Sequence, residues 1–197
     1  FKCENFQKAG AFKVRGASNA VFGLHEDQLA KGVATHSSGN HALSLSYAAG
    51  RRGIPCSVVM PRTAPQAKKD AVRGYGGRIV ECEPSTSSRE AVFAQVQAET
   101  GADFVHPYND PRLIAGQATC SRESLEQVPG LDAMVAPIGG GGMISGTCLT
   151  LSTLVPGMDI YAAEPKNADD ACRSFKAGEI IADDAPETVA DGLKVPL

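Results

Sequence analysis

An α/β fold built on parallel sheets is predicted for this chain by three features. Short runs of β-branched and aliphatic residues alternate with segments of helical periodicity along the whole sequence. Helical segments close on glycine, as at Gly50 and Gly74. Two loops of small residues, 35–41 and 139–142, each leave a strand and open a helix, the place where parallel sheets bind ligands.

The elements follow in order. Gly32-Val33-Ala34-Thr35 reads as a short strand, and His41 to Ala49 as a helix stopped by Gly50. Cys56 to Met60 is a strand ended by Pro61, and Pro65 to Arg73 a helix ended by Gly74. Arg78 to Cys82 is extended, and Ser88 to Glu99 is helical with Ser87 or Ser88 as its N-cap. Asp103 to His106 and Ala133 to Ile138 are two further strands, separated by a helix over 115–127. Ile144 to Leu154 is helical, Asp159 to Ala163 extended, and Ala168 to Lys176 helical. Helices between successive strands act as crossovers, which makes the strands parallel and covers both sheet faces. No repeat, linker or low-complexity segment interrupts the pattern.

Composition narrows the function. With 197 residues the chain has room for one sizeable domain or two small ones sharing a hinge. Its 43% hydrophobic and 21% charged residues exclude disorder and collagen-like repeats. Lys and Arg number 19 against 22 Asp and Glu, a net charge of −3, so nucleic acid is not the expected partner. No apolar run is long enough to span a bilayer, and no signal-peptide pattern opens the sequence, so no membrane partner is expected. Six scattered cysteines without a C-x-x-C pair read as reduced thiols of a cytoplasmic protein. The sequence opens on Phe1-Lys2-Cys3 without a Met and stops just after Asp191-Gly192, so it reads as a fragment truncated at both ends.

Gly139, Gly140, Gly141 and Gly142 let the backbone wrap closely and aim several N–H groups at one point beside a helix start, which favours a phosphate. Neither G-x-G-x-x-G nor G-K-[ST] is met, so a dinucleotide and a P-loop nucleotide are disfavoured. The loop Ser37-Ser38-Gly39-Asn40-His41 offers hydroxyls, an amide and backbone donors, which suit a carboxylate; an ordinary serine N-cap explains the same residues as well. Lys13 sits among Ala11, Phe12 and Val14, where apolar neighbours lower an amine's pKa and make it a nucleophile or base. An amine, a phosphate cradle and a carboxylate loop are the parts that pyridoxal 5'-phosphate requires.

The segments Gln7 to Ala17, Ser37 to Ala42 and Gly139 to Gly142 resemble the fold-type II pyridoxal-phosphate enzymes, in the family's order and across nearly the whole chain. Within them the sequence is most similar to eukaryotic-type serine racemases, and next to the serine/threonine dehydratases. The resemblance implies two parallel-sheet, three-layer α/β domains, as in the tryptophan synthase β-like fold, with the smaller inserted in the larger. By analogy the small domain spans 32–107, and 1–31 with 108–197 belong to the large one.

Carried over residue by residue, the resemblance makes Lys13 the Schiff-base lysine and proton carrier on one cofactor face, and Ser38 the acid/base on the other. Phe12 then packs beside the pyridine ring and Asn40 bonds its hydroxyl. Gly139 to Gly142 hold the phosphate with the Met143 amide, and Ser37, Ser38, Gly39, Asn40 and His41 take the substrate carboxylate. The oxygens of Glu164, Ala168 and Asp170 suit a hard cation, Mg²⁺ or else Ca²⁺ or Mn²⁺; spacing alone is met equally by a solvated acidic helix start, and the resemblance favours the cation. Arg89 and Asp191 match a charged pair near the family's active site. His36, His41 and His106 form no metal or triad spacing and read as structural. Ala11 stands where the family commonly has serine, and Tyr108 lies where racemases and dehydratases differ. The family's partner for the pyridine nitrogen falls beyond residue 197.

The expected activity is interconversion of L- and D-serine, with β-elimination to pyruvate and ammonia as a side reaction. The alternative is a serine/threonine or hydroxyaspartate dehydratase. An alternative from another class is a silent module that binds a phosphorylated ligand or senses an amino acid. A homodimer is implied by the resemblance alone.

Overall fold

Two 3₁₀ turns, Glu4–Phe6 and Lys8–Gly10, lead into helix α1 (Lys13–Phe22) and the short α2 (Glu26–Leu29). The computed structural model describes residues 1–182 and 186–195; positions 183–185 and 196–197, part of the expected 108–197 segment, lie outside the described residues. Strands β1 (Val33–His36), β2 (Cys56–Pro61), β3 (Arg78–Cys82) and β4 (Asp103–Phe104) form one parallel sheet in the order β3-β2-β1-β4. Helices α3 (Asn40–Arg52), α4 (Gln66–Gly74) and α5 (Thr86–Thr100) are its crossovers.

Alternation along the strands sorts the core into two layers. Val33, Val58 and Met60 pack with Ala17, Ala20 and Val21 of α1 and with Leu45, Ala48 and Ala49 of α3. Ala34 and Val59 point the other way, onto Phe93 and Val96 of α5. Both faces are thus covered, and five consecutive residues of β2 are buried. That continuous apolar run is the mark of a central parallel strand.

Beyond the sheet come α6 (Pro111–Gln127), β5 (Ala133–Pro137), α7 (Gly142–Leu154), β6 (Asp159–Ala163), α8 (Asp170–Ala177) and a 3₁₀ turn at Asp191–Leu193. β5 and β6 pair in parallel, Ala133 opposite Asp159 through Pro137 opposite Ala163. Buried hydroxyls fasten α7 to α6: Ser121 donates to Thr147 Oγ1 at 2.8 Å, and Thr150 to the Ala118 carbonyl at 3.1 Å.

Two compact units divide the chain, Phe1–Gly116 and Gln117–Leu197. The four-stranded sheet lies wholly within the 32–107 stretch expected to form the inserted domain, and inside the first unit that stretch packs with α1.

Several boundaries differ from expectation for physical reasons. α3 runs through Gly50 and stops at Gly53, whose φ of +73° makes the left-handed cap. Gly50 is glycine because a Cβ there would lie 2.6 Å from the Tyr75 carbonyl oxygen. The cap of α5 is Ser85, whose hydroxyl accepts from the Ser88 N–H at 3.2 Å, two or three residues before the expected one. β4 ends at Phe104 because the chain turns at His106, and α8 starts at Asp170. Among the described residues no helix is long and apolar enough to cross a membrane, and all six cysteines are free thiols.

Candidate active site

Helix α1 opens on Lys13, with Phe12 in the cap position and buried Ala11 and Val14 on either side. The Lys13 ammonium donates to the Pro107 carbonyl and lies 5.4 Å from the centroid of the Phe12 ring. Burial lowers its pKa from 10.5 to about 8. About a tenth of such an amine is neutral at pH 7, against about three in ten thousand for a free lysine. Two residues on, Arg15 grips Glu4 through Nε to Oε2 at 2.7 Å and Nη2 to Oε1 at 2.9 Å. This nearly buried fork ties the first 3₁₀ turn to the start of α1.

The β1–α3 loop carries the candidate carboxylate grip. The Gly39 N–H donates to Ser37 Oγ at 3.3 Å, Ser37, Ser38 and Gly39 are half-buried, and Asn40 is exposed as the first residue of α3. His41 is buried, and its Nε2 lies 3.0 Å from the Val105 carbonyl. A carbonyl only accepts, so Nε2 carries the proton and Nδ1 is a bare acceptor. Burial first, and then the charge of Lys13, push the His41 pKa down to about 3. His41 Nδ1, Thr35 Oγ1 and Ser44 Oγ are all buried without a hydrogen-bond partner. Three orphaned polar atoms in residues bracketing one loop fit a site for a polar ligand.

His106 Nδ1 accepts from the Tyr108 and Asn109 N–H groups at 3.3 and 2.9 Å. Its ring centroid lies 4.6 Å from that of Tyr108, 5.6 Å from Phe104 and 6.2 Å from His36. Burial leads in lowering the pKa of both His36 and His106. No cluster of three or more His, Cys, Asp or Glu suited to a metal occurs among the described residues. Arg89, early in α5, has a buried Nε without a partner, and its charge helps to lower the pKa of His36.

In the second unit β5 feeds the glycine loop. The Ile138 N–H donates to the Ala163 carbonyl at 2.9 Å, and the chain then leaves the sheet. Gly141 caps α7 with φ +84°, a conformation that a Cβ disfavours. The first helical bond runs from the Ser145 N–H to the Gly141 carbonyl at 2.9 Å, so the amides of Gly142, Met143 and Ile144 precede it, without an intrahelical acceptor. A Cβ on Gly139 would meet Val195 Cγ2 at 3.1 Å, so the 192–195 segment lies close against this loop. Free amides, no side chains and the positive end of a 13-residue helix fit a phosphate.

The expected cation ligands bracket the start of α8. Glu164 Oε1 accepts from the Cys172 N–H at 2.6 Å, and Ala168 and Asp170 are buried. Glu164 therefore also caps the helix. Asp169, between them, is engaged with Arg173 at 2.8 Å.

Within the first unit the fold gathers Lys13, Pro107, His41 and His106, with Phe12 beside the amine. Met143 and the four glycines, and separately Glu164, Ala168 and Asp170, belong to the second unit. The Pro107 carbonyl, the His106 acceptor and the Glu4–Arg15 fork are contacts that sequence reading missed. The first is a backbone atom, the second draws on neighbouring backbone amides that any residues could supply, and the fork joins two side chains with no motif between them.

The family model described as pyridoxal-phosphate dependent enzyme matches residues 1–197. The chain belongs to this family. It is 80% identical, over all of its length and 62% of the relative's, to a β-hydroxyaspartate dehydratase of Paracoccus denitrificans. It is 54% identical over 98% of its length, and 57% of the relative's, to a serine racemase of Oryza sativa subsp. indica. The structure of maize serine racemase superimposes with a TM-score of 0.97 at 52% identity, covering 99% of this chain and 59% of that one. The chain thus spans about three fifths of the proteins it matches. As a pyridoxal-phosphate family chain with the parallel α/β architecture of these relatives, it has the fold class expected from its sequence.

Proposed function

We propose that this chain is the lysine- and phosphate-binding part of an enzyme that eliminates water from a β-hydroxy amino acid, with β-hydroxyaspartate as the preferred substrate. The observation that carries this reading is the 80% identity to a β-hydroxyaspartate dehydratase across every residue of the chain. It favours the dehydratase alternative over the serine racemisation expected first from the motifs.

The residues fit pyridoxal phosphate through Lys13's lowered pKa, the orphaned atoms around the β1–α3 loop, and the glycine cradle. Lys13 would hold the cofactor's aldehyde carbon, Asn40 its ring hydroxyl, and Gly139 to Gly142 with the Met143 amide its phosphate, with Phe12 against the ring. When bound, the cofactor supplies an acceptor for the electrons of the substrate's Cα–H bond. The Lys13 amine would take the α-proton, and its lowered pKa suits a base near neutrality. Ser37 to His41 would grip the α-carboxylate at the start of α3 and fix which Cα bond faces the amine. Loss of the β-hydroxyl as water followed by hydrolysis gives oxaloacetate and ammonia from hydroxyaspartate, or pyruvate and ammonia from serine.

Serine racemisation is the second reading. It is supported by Ser38, a hydroxyl able to serve the face opposite Lys13, and by the 54% identity to a serine racemase. Glu164, the Ala168 carbonyl and Asp170 are proposed as cation ligands, and a cytoplasmic homodimer as the assembly. The test uses the full-length protein with cofactor, given β-hydroxyaspartate or L-serine separately. Oxaloacetate should form with a kcat/KM at least about tenfold above that for serine, the scale set by one buried charged contact. Faster formation of pyruvate or D-serine would overturn the hydroxyaspartate reading, and no turnover of either would favour a silent binding module.

A further inference from the structure

The turn that receives the Lys13 amine is built on a side chain. β4 stops at Phe104, and two residues later the Tyr108 and Asn109 N–H groups converge on one atom, Nδ1 of His106, at 3.3 and 2.9 Å. Both partners are donors, so Nδ1 must be the lone-pair nitrogen and the ring proton sits on Nε2. The geometry is that of an Asx turn with an imidazole nitrogen in place of the carboxamide oxygen. Inside this turn lies Pro107, and its carbonyl accepts from the Lys13 ammonium.

We propose that His106 is a positioning residue for Lys13: as a neutral imidazole it locks the 106–109 turn, presenting the Pro107 carbonyl to the amine and fixing Tyr108, and protonation of the ring releases both. The inference rests on reading Lys13 as the reactive amine. Adding a proton to Nδ1 turns the sole acceptor of two amides into a third donor, so the turn cannot keep its bonds in the imidazolium form.

The groups facing the ring set the pH at which this happens. Burial, then the charges of His36 and Lys13, oppose protonation, and Asp110 favours it. Phe104 and Tyr108 supply the apolar walls. His36 in turn faces Arg89, which opposes its protonation, and Glu90, which favours it. The release therefore falls on the acid side of the ordinary histidine value.

The experiment compares His106→Leu, which has no acceptor, with His106→Asn, whose Oδ1 can take both amides, in the full-length holoenzyme. Amide hydrogen exchange at Tyr108 and Asn109 should quicken about tenfold in His106→Leu, the scale of one lost hydrogen bond, and return close to wild type in His106→Asn. Beneath the limb of the kcat/KM profile that Lys13 as base sets near pH 8, a second acid limb below pH 6.5 in wild type should disappear in His106→Asn. Unchanged exchange in His106→Leu, equal exchange in both variants, or a limb below pH 6.5 that persists in His106→Asn would each overturn the proposal. Should His106→Leu not fold, the exchange and pH profile of His106→Asn decide. The exchange result stands whether or not hydroxyaspartate is the substrate.

Discussion

Lys13 donates to the carbonyl of Pro107, a residue 94 positions further along the chain. The contact joins the first turn of α1 to the bend that follows the edge strand β4. It holds the amine where burial lowers its proton affinity, and next to the buried His41 whose own protonation Lys13 opposes. The amine's lowered proton affinity thus comes from the packing of the first unit rather than from the motif around it alone.

That burial has a signature in stability. Folding lowers the Lys13 pKa from 10.5 to about 8, so between these values the unfolded chain binds more protons than the folded one. Stability therefore rises with pH across that window, and below it the full penalty of burying the charge is present. Cofactor-free Lys13→Met should be more stable than wild type at pH 7, by up to about 3 kcal/mol less the contribution of the Pro107 bond. Its advantage should shrink as pH climbs through that window. Urea denaturation at pH 7 and pH 10 measures this; an equal difference at both would contradict the account.

Gly141→Ala places a Cβ on a backbone at φ +84°, at a cost of about 1–2 kcal/mol. The strain falls on the loop proposed to hold the phosphate. Cofactor affinity, measured by absorbance titration, should fall about tenfold or more if that strain is relieved by moving the loop. Unchanged affinity would remove this loop from the phosphate site.

Ser38→Ala separates the two readings of the chemistry. If Ser38 serves the second face, D-serine formation should fall about a hundredfold or more while elimination from one enantiomer largely survives. Chiral chromatography beside a pyruvate assay gives the ratio. Equal losses with both enantiomers would contradict a two-base site.

Glu164 caps α8 through the Cys172 N–H as well as standing in the proposed cation set. Glu164→Gln keeps an acceptor for that amide but removes the charge. Stability in chelator should change by less than about 0.5 kcal/mol, while any Mg²⁺-dependent rise in melting temperature should be lost. A Mg²⁺ response that survives unchanged would reassign Glu164 to capping alone.

The strand–helix alternation was legible because parallel strands such as β2 are buried on both faces and leave runs like Ser57-Val58-Val59-Met60. The glycine loop was legible because four residues without side chains at a helix start have few other uses. Long-range contacts were not. Gly50 resembles a helix stop, and only the approach of the Tyr75 carbonyl explains it inside α3. His106 offered no spacing pattern, because its partners are backbone amides that any residues could supply. Substrate preference was equally illegible, since the motifs around Lys13 and Ser38 serve elimination and racemisation alike.

The most direct test is borohydride reduction of the full-length, cofactor-loaded protein, followed by peptide mass spectrometry. The account predicts a pyridoxyl mass on Lys13 and on no other lysine, blocked in Lys13→Met. A folded, cofactor-saturated protein that carries no adduct, or carries it elsewhere, would contradict the assignment of Lys13.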